Sequence, residues 1–201
     1  MGYTHYWSRP MELEKEKFAE AVVDCRKVLA YLSECRLDLA GWDGTGSTVI
    51  TDEEISFNGQ MNCGHENGDL GIAWPADNAG GFADPPEKNG EWFAGVTLAT
   101  RCCGGDCSHE TFRIERVYSP CEWEEAKNGL YFSFCKTAFK PYDLAVIACL
   151  IVFKHHFGNE FKVTTDGGDQ HWFDGKMICA MVLNYGIGYK INVEQAELLA
   201  G

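Results

Sequence analysis

The sequence predicts an α+β fold, with one mainly antiparallel sheet and about three helices packed on it, in a single domain over residues 1–201. Two long segments have the apolar spacing or the continuous apolar character of packed helices, and several short segments alternate as strands do. A chain of 201 residues with 45% hydrophobic residues is long enough for one sizeable core, and it shows no internal repeat.

The first two predicted elements are a strand at residues 3–7 and a helix at residues 12–36. The strand is short and aromatic, and its alternation places Tyr3, His5 and Trp7 on one face. These side chains serve either packing or a pocket, because buried Tyr, His and Trp each need a polar partner. In the helix, apolar residues recur every three or four positions opposite a charged face, which is typical of an amphipathic scaffold helix.

The middle of the chain is predicted to be rich in strands and loops. Residues 48–50 and 54–58 form two short strands joined by a tight connection, and residues 75–90, rich in Gly, Pro, Asp and Asn, form a long surface loop. Residues 92–100 and 111–118 alternate as strands. The Gly-Gly-Asp sequence between these two strands indicates that they pair as a hairpin.

The stretch at residues 132–158 organises the rest of the fold. It begins as an alternating strand, passes Pro141 and continues as an almost uninterrupted apolar run that ends in Lys-His-His. This pattern predicts a buried central helix that is entered from a strand. A strand at residues 161–165 and a helix at residues 172–185 complete the predicted fold.

Composition and charge restrict the partners of the protein. The net charge of −13 repels nucleic-acid backbones and anionic membranes, so general nucleic-acid binding is disfavoured. The N-terminus has no signal-peptide pattern, and the longest apolar run, residues 144–153, is about half the length of a bilayer span. We therefore expect a soluble cytoplasmic protein without a membrane partner, whose ten cysteines are reduced thiols or metal ligands.

The strongest candidate site is the junction between the central strand and helix. Charged and polar residues crowd the helix N-terminus, where unpaired backbone N–H groups and the helix dipole favour an anion. Aromatic rings of the N-terminal strand are suited to stack on a base. The predicted ligand-binding residues are Tyr3, His5, Tyr6, Trp7, Arg101, Lys136, Lys140, Tyr142 and Asp143. The alternative is that the lysines are surface charges and that Asp143 only caps the helix.

Cysteine and histidine residues in two loops raise the question of a metal site. Cys63, His65, Cys102, Cys103, Cys107 and His109 supply enough soft ligands for tetrahedral zinc. Their spacing matches neither the Cys-x2-Cys nor the His-x3-His pattern, and no metalloprotease or deaminase motif is complete. We therefore expect loop thiols without a metal or other cofactor, and a zinc site remains the alternative.

Four motifs of the sequence resemble a family of uncharacterised proteins from bacteriophages and bacteria. The motifs are Tyr-Thr-His-Tyr-Trp at residues 3–7, Cys-Ser-His-Glu-Thr-Phe at 107–112, Cys-Lys-Thr-Ala-Phe-Lys-Pro-Tyr-Asp at 135–143 and Lys-His-His at 154–156, and the resemblance covers nearly the whole chain. It implies a phage origin but no established activity. Some phage accessory proteins sequester nucleotide-derived immune signals, and this analogy favours a similar role.

The leading functional hypothesis is a phage-encoded protein of the host cytoplasm that binds a small anionic, nucleotide-like ligand and keeps it from host defence signalling. One alternative is an enzyme, either a hydrolase of such a ligand or a Cys/His metal-dependent enzyme. Another is a protein-binding inhibitor whose acidic region at residues 37–100 mimics a nucleic-acid surface. The sequence does not determine the oligomeric state, and a homo-oligomer is one of the alternatives.

Overall fold

The computed structural model describes residues 3–35, 37–64, 101, 103, 105–192 and 197–199, and it describes the backbone alone at 91–93 and 96–97. The helices are α1 (Lys15–Glu34), α2 (Asp143–Phe157) and α3 (Phe173–Leu183). The strands are β1 (Thr4–Arg9), β2 (Leu39–Ala40), β3 (Val49–Ile50), β4 (Glu54–Gly59), β5 (Glu91–Phe93), β6 (Val96–Thr97), β7 (Phe112–Glu115), β8 (Tyr131–Lys136), β9 (Lys162–Thr165), β10 (Lys190–Asn192) and β11 (Glu197–Leu199). The three helices and the antiparallel pairing of these strands confirm the predicted α+β class.

β1 lies inside the five-stranded main sheet, whose strand order is β10-β11-β9-β1-β8. It is antiparallel to both neighbours, with Tyr6 opposite Phe134 of β8 and opposite Thr164 of β9. Successive strand residues point to opposite faces of a sheet. His5 and Trp7 therefore face the core, where they are 0% and 2% exposed, whereas Tyr6 lies on the outer face.

β4 is the central strand of a smaller sheet, in which β2, β3 and β7 all pair with it. β4 and β7 place Ile55 opposite Ile114 and Phe57 opposite Phe112, and all four side chains are buried. This apolar match explains why β7 pairs with β4. The predicted strand at residues 92–100 is divided into β5 and β6, which pair with each other, and in the part of the chain that the structure describes the expected hairpin with β7 does not occur.

α2 is the buried centre of the helical layer. Its residues from Leu144 to Phe153 are each at most 1% exposed, because α1 and α3 pack against it. On the α1 side, the rings of Phe18 and Phe153 lie 5.5 Å apart. On the α3 side, Gly175 approaches so closely that a Cβ atom there would meet Ile147 Cγ2 at 2.3 Å. The predicted central helix is thus enclosed by the other two helices.

One apolar cluster joins the helices to both sheets, and it includes Trp7, Phe57, Leu150, Phe161 and Ile178. The long loop predicted at residues 75–90 lies outside the described residues. Among the described helices, none combines the length and the apolar character that crossing a membrane requires.

Candidate functional site

The predicted site begins at a strained turn between β8 and α2. Ala138 and Phe139 have φ angles of 52° and 55°, a left-handed conformation that costs a non-glycine residue about 1–2 kcal/mol. Tyr3 holds this turn. Its carbonyl oxygen accepts hydrogen bonds from Thr137 N and Ala138 N, both at 3.0 Å, and its ring stacks on Phe139 with 3.9 Å between centroids. The start of the chain therefore fixes the entry into α2.

The N-terminus of α2 is closed by carbonyl groups of the preceding turn. The N–H groups of Asp143, Leu144 and Ala145 each donate to the carbonyl three residues earlier, at 2.9, 3.3 and 3.0 Å. The sequence had predicted an anion site built from unpaired N–H groups at this helix end. These N–H groups are paired within the chain, so that part of the prediction is wrong.

A buried polar network centred on Asp143 lies behind the turn. Asp143 Oδ1 accepts hydrogen bonds from His5 Nε2 at 2.7 Å and from Thr137 Oγ1 at 2.5 Å, and Asp143 Oδ2 accepts one from Arg101 Nε at 2.7 Å. His5 Nδ1 in turn lies 3.2 Å from Thr165 Oγ1. The carboxylate therefore accepts from β1 and from the residue that follows β8, and His5 links it to β9, instead of the carboxylate capping its own helix.

Arg101 extends the network to α3. Its guanidinium forms ion pairs with Asp143 and with Asp174, and its Nη2 donates to the carbonyl oxygen of His171 at 3.2 Å. Asp174 Oδ1 also accepts a hydrogen bond from the backbone N–H of the next residue, Gly175, at 2.8 Å. The side chain of Arg101 is 2% exposed and those of both acids are 0% exposed. One guanidinium thus neutralises carboxylates from two different helices.

The surroundings shift the pKa values of these groups in different directions. Burial raises the pKa of Asp143, but Arg101 and His5 together outweigh burial and lower it to about 2. Burial also raises the pKa of Asp174, and here the opposing effect of Arg101 does not cancel it. Burial lowers the pKa of Arg101, but the two carboxylates raise it above its usual value. Arg101 and Asp143 therefore form a charged pair inside the protein.

The network is sealed from solvent and joins elements of the fold. A His–Asp pair is a common general base, but His5 and Asp143 are both 0% exposed, so a substrate has no access to them. Trp172 lies edge-on to His5, with 5.2 Å between ring centroids, and its Nε1 has no hydrogen-bond partner among the described residues. The arrangement holds β1, α2 and α3 together.

Tyr142 and Lys140 donate hydrogen bonds to the loop that precedes β7. Tyr142 is buried, and its hydroxyl donates to the carbonyl oxygen of Glu110 at 2.7 Å. The ammonium of Lys140 donates to the carbonyl oxygens of Cys103 and Asp106, both at 2.6 Å. Two of the predicted ligand-binding residues therefore make internal contacts that position this loop.

Tyr6 and Lys136 lie on the outer face of the main sheet, together with exposed aromatic residues. Phe132, Phe134 and Lys136 alternate along β8 on this face, and Tyr6 stands opposite Phe134 on β1. The ring of Tyr6 stacks on Phe132 at 5.9 Å between centroids, and its hydroxyl donates to Asp166 Oδ1 at 3.0 Å. Phe132 and Phe134 are 53% and 54% exposed. We call these four residues the aromatic face.

A groove of about 510 Å³ adjoins the aromatic face between β7 and β8. Phe132 and Phe134 form one wall, and the connection after β7 supplies Tyr118 and Trp123. Trp123 is 82% exposed, which is unusual for so large an apolar side chain. Trp7, another predicted site residue, reaches the groove from the core, where its ring lies 5.4 Å from that of Phe112.

Three of the predicted metal ligands meet in space. The sulfur atoms of Cys63, Cys103 and Cys107 lie within 4.8 Å of one another. Burial raises the pKa of the Cys103 and Cys107 thiols, and the neighbouring Cys63 raises it further. His109 is not part of this cluster, and His65 and Cys102 lie outside the described residues.

The structure thus divides the predicted site residues between separate environments. His5, Arg101 and Asp143 meet in the buried network, whereas Tyr6 and Lys136 lie on the same outer face of the main sheet. Further residues, whose sequence signals are weaker and which were not predicted, complete these environments: Thr137, Thr165 and Asp174 in the network and Trp123, Phe132 and Phe134 at the groove. Only the alternation of Phe132 and Phe134 with Ser133 and Cys135 pointed to a separate face of β8.

Comparisons with known proteins do not extend this description. No protein-family model matches the chain, no curated protein matches it, and no solved structure matches it.

Proposed function

We propose that the protein binds a small nucleotide-like ligand, with its ring in the groove beside the aromatic face and its anionic group at Lys136. The observation that carries this proposal is the groove of about 510 Å³ next to three exposed rings, those of Trp123, Phe132 and Phe134. Small-molecule sites typically have volumes of roughly 300–1,000 Å³ and aromatic walls. A planar ring that covers these side chains removes apolar surface from water.

The exposed aromatic side chains are the reason for proposing a ligand with a flat ring. Aromatic side chains on the open face of a sheet stack on nucleobases, and each stacked base contributes about 1–3 kcal/mol. The rings of Phe132 and Phe134 lie 6.2 Å apart, and Tyr6 continues the same surface. The net charge of −13 opposes the approach of a polynucleotide, so a single nucleotide-sized molecule fits better than a chain.

Lys136 supplies the positive charge for the anionic part of the ligand. It follows Phe134 by two residues on the same face of β8, a distance of about 7 Å along a strand. Within the described residues its ammonium has no ion-pair partner, in contrast to Arg113, which pairs with Glu54 and Glu115. Glu115 and Glu124 at the groove accept hydrogen bonds from Arg113 and Tyr118, and the remaining lone pairs of their carboxylates suit amino or hydroxyl groups of a base and sugar.

The proposed role is binding without chemical change of the ligand. The histidine–aspartate pair of the buried network has no solvent access, and the aromatic face offers stacking surface and one ammonium group. The resemblance to bacteriophage proteins favours sequestration of a nucleotide-derived signal of host defence. Such a role requires tight binding and slow release but no catalytic group.

Calorimetric titration with nucleosides and their 5′-monophosphates tests the proposal. We expect at least one nucleotide to bind with a stoichiometry of one, and we expect Trp123→Ala and Phe134→Ala to weaken that binding at least ten-fold. Trp42→Ala is the matched control, because Trp42 is also exposed, at 63%, but lies outside the groove. If no member of the panel binds below about 1 mM, or if the groove variants bind as the wild type does, the proposal is wrong.

The charged part of the ligand has a separate test. Lys136→Ala should weaken binding of a monophosphate more than binding of the matching nucleoside, because only the monophosphate uses the ammonium. Lys190→Ala on β10, at the opposite edge of the main sheet, should change neither. Chromatography of the ligand after prolonged incubation should recover it intact, and a cleavage product would favour the hydrolase alternative.

A further inference from the structure

The fold brings three cysteine sulfur atoms from two distant segments of the chain into one cluster. The Sγ atoms of Cys63, Cys103 and Cys107 all lie within 4.8 Å of one another, where Cys63 is half-buried and the other two are buried. A tetrahedral zinc ion with Zn–S bonds of about 2.3 Å needs sulfur atoms about 3.8 Å apart. Small side-chain rotations therefore suffice for one ion to contact all three.

We propose that Cys63, Cys103 and Cys107 bind one thiophilic divalent cation, Zn²⁺ in the cell, as three thiolates with the fourth coordination position filled by water or another group. Thiolate ligands select zinc over magnesium and calcium, which prefer oxygen. On binding, each thiol loses its proton to solvent and the sulfur lone pair forms the bond to the metal. This inference reverses the expectation from the sequence, which favoured loop thiols without a metal.

Close packing of the backbone brings Cys107 towards the end of β4. Cys107 N donates to the carbonyl oxygen of Gln60 at 3.1 Å, three residues before Cys63. A Cβ atom at Gly59 would lie only 1.9 Å from the carbonyl oxygen of Cys107, and one at Gly44 would lie 2.6 Å from Ser108 Cβ. Only glycine permits these approaches. The two glycines therefore let the segment with Cys107 lie beside the segment with Cys63.

Hydrogen bonds around Cys103 suit a metal-bound thiolate. Gly105 N donates to Cys103 Sγ at 3.3 Å, and Gly105 adopts a φ of 90°. Hydrogen bonds to ligating sulfur and charges near it adjust the affinity and the properties of a metal site. The ammonium of Lys140 binds the carbonyl oxygens of Cys103 and Asp106, so a positive charge lies beside the loop that would carry the thiolates.

A second group of cysteines shows that burial alone does not create such a cluster. Cys25, Cys149 and Cys179 are buried between the three helices. Among the described residues, only the sulfur atoms of Cys63, Cys103 and Cys107 meet the distance required of a metal-binding group. The helix cysteines act as small apolar side chains in the core.

Titration of the reduced, metal-free full-length protein with Co²⁺ tests the proposed site. We expect saturation near one equivalent, with a sulfur-to-cobalt charge-transfer band in the near ultraviolet and the visible absorption of a tetrahedral ion. Added Zn²⁺ should abolish both signals, because zinc binds thiolates more tightly than cobalt does. If neither signal develops up to about 100 μM Co²⁺, or if the bands are those of an octahedral ion, the proposal is overturned.

Single substitutions identify the ligands. Cys63→Ser and Cys107→Ser should each lower the Co²⁺ affinity at least ten-fold, whereas Cys121→Ser, at an exposed cysteine outside the cluster, should leave it unchanged. Cys63→His separates loss of a ligand from loss of the fold, because it should retain binding with a weaker charge-transfer band. Wild-type affinity in Cys63→Ser, or no binding in a folded Cys63→His variant, would contradict the assignment.

Discussion

Replacement of Arg101 by Met tests the energetic role of the buried network. Arg101 is 2% exposed and is paired with Asp143 and Asp174, which are both 0% exposed. Methionine fills much of the same volume but leaves two carboxylates buried without their shared counterion. Breaking a buried ion pair by removing one partner costs about 3–5 kcal/mol, and we expect a loss of that size in the free energy of unfolding.

The loss should depend on pH in a defined direction. In the wild type, Arg101 and His5 lower the pKa of Asp143 to about 2, so this group stabilises the fold above the unfolded-state pKa near 4, and that contribution disappears as the pH falls towards 2. Without Arg101, burial meets less opposition, so the pKa of Asp174, already raised in the wild type, should rise further, and that of Asp143 should rise from about 2. The folded variant then binds more protons than the unfolded chain, so its deficit should shrink as the pH falls from 7 to 5.

Urea unfolding, followed by tryptophan fluorescence and circular dichroism, measures both effects. Arg113→Met is the matched control, because Arg113 also pairs with two carboxylates but is 43% exposed, and its loss should cost less than about 1 kcal/mol. A deficit below about 1 kcal/mol for Arg101→Met, or one that grows as the pH falls, would refute the account of the network.

Further substitutions and a thiol titration test other contacts. Lys140→Ala should destabilise the protein by about 2–3 kcal/mol through its two charged hydrogen bonds, whereas Lys136→Ala should cost less than about 0.5 kcal/mol; urea unfolding compares them. Gly59→Ala should lower the free energy of unfolding by about 3 kcal/mol, because the new Cβ atom would collide with the Cys107 carbonyl group. Gly46→Ala should lower it by only about 1 kcal/mol, because no atom lies within 4 Å of the new Cβ and the only cost comes from the φ of 68° at Gly46. Thiol titration in denaturant with a chelator should find ten reduced cysteines, and fewer would indicate disulfides.

Local patterns in the sequence predict much of the fold. The three helices lie where apolar spacing or a continuous apolar run placed them, and the alternation of residues 3–7 predicts which side chains of β1 face the core. These features depend on neighbours within a few positions. The pairing of β7 with β4 joins residues more than 50 positions apart, so local pattern does not determine it.

The candidate sites depend on contacts that no local pattern encodes. Lys140 was predicted to bind an anion, but its partners are carbonyl groups 37 and 34 residues earlier in the chain. Arg101 meets Asp174 across 73 residues. The alternation of β8 shows that Phe132 and Phe134 share a face, but whether another layer covers that face is decided by the packing of the whole chain.

The strained turn at Ala138 and Phe139 lets one short segment contact Tyr3, Asp143 and the loop before β7 at the same time. Glycine at position 139 would relieve the left-handed backbone, but it would remove the ring that stacks on Tyr3 at 3.9 Å. The turn also separates Thr137, which donates to Asp143, from Lys140, which donates to the carbonyl oxygens of Cys103 and Asp106. The strain of about 1–2 kcal/mol per residue is therefore offset by contacts that a relaxed turn would not place together.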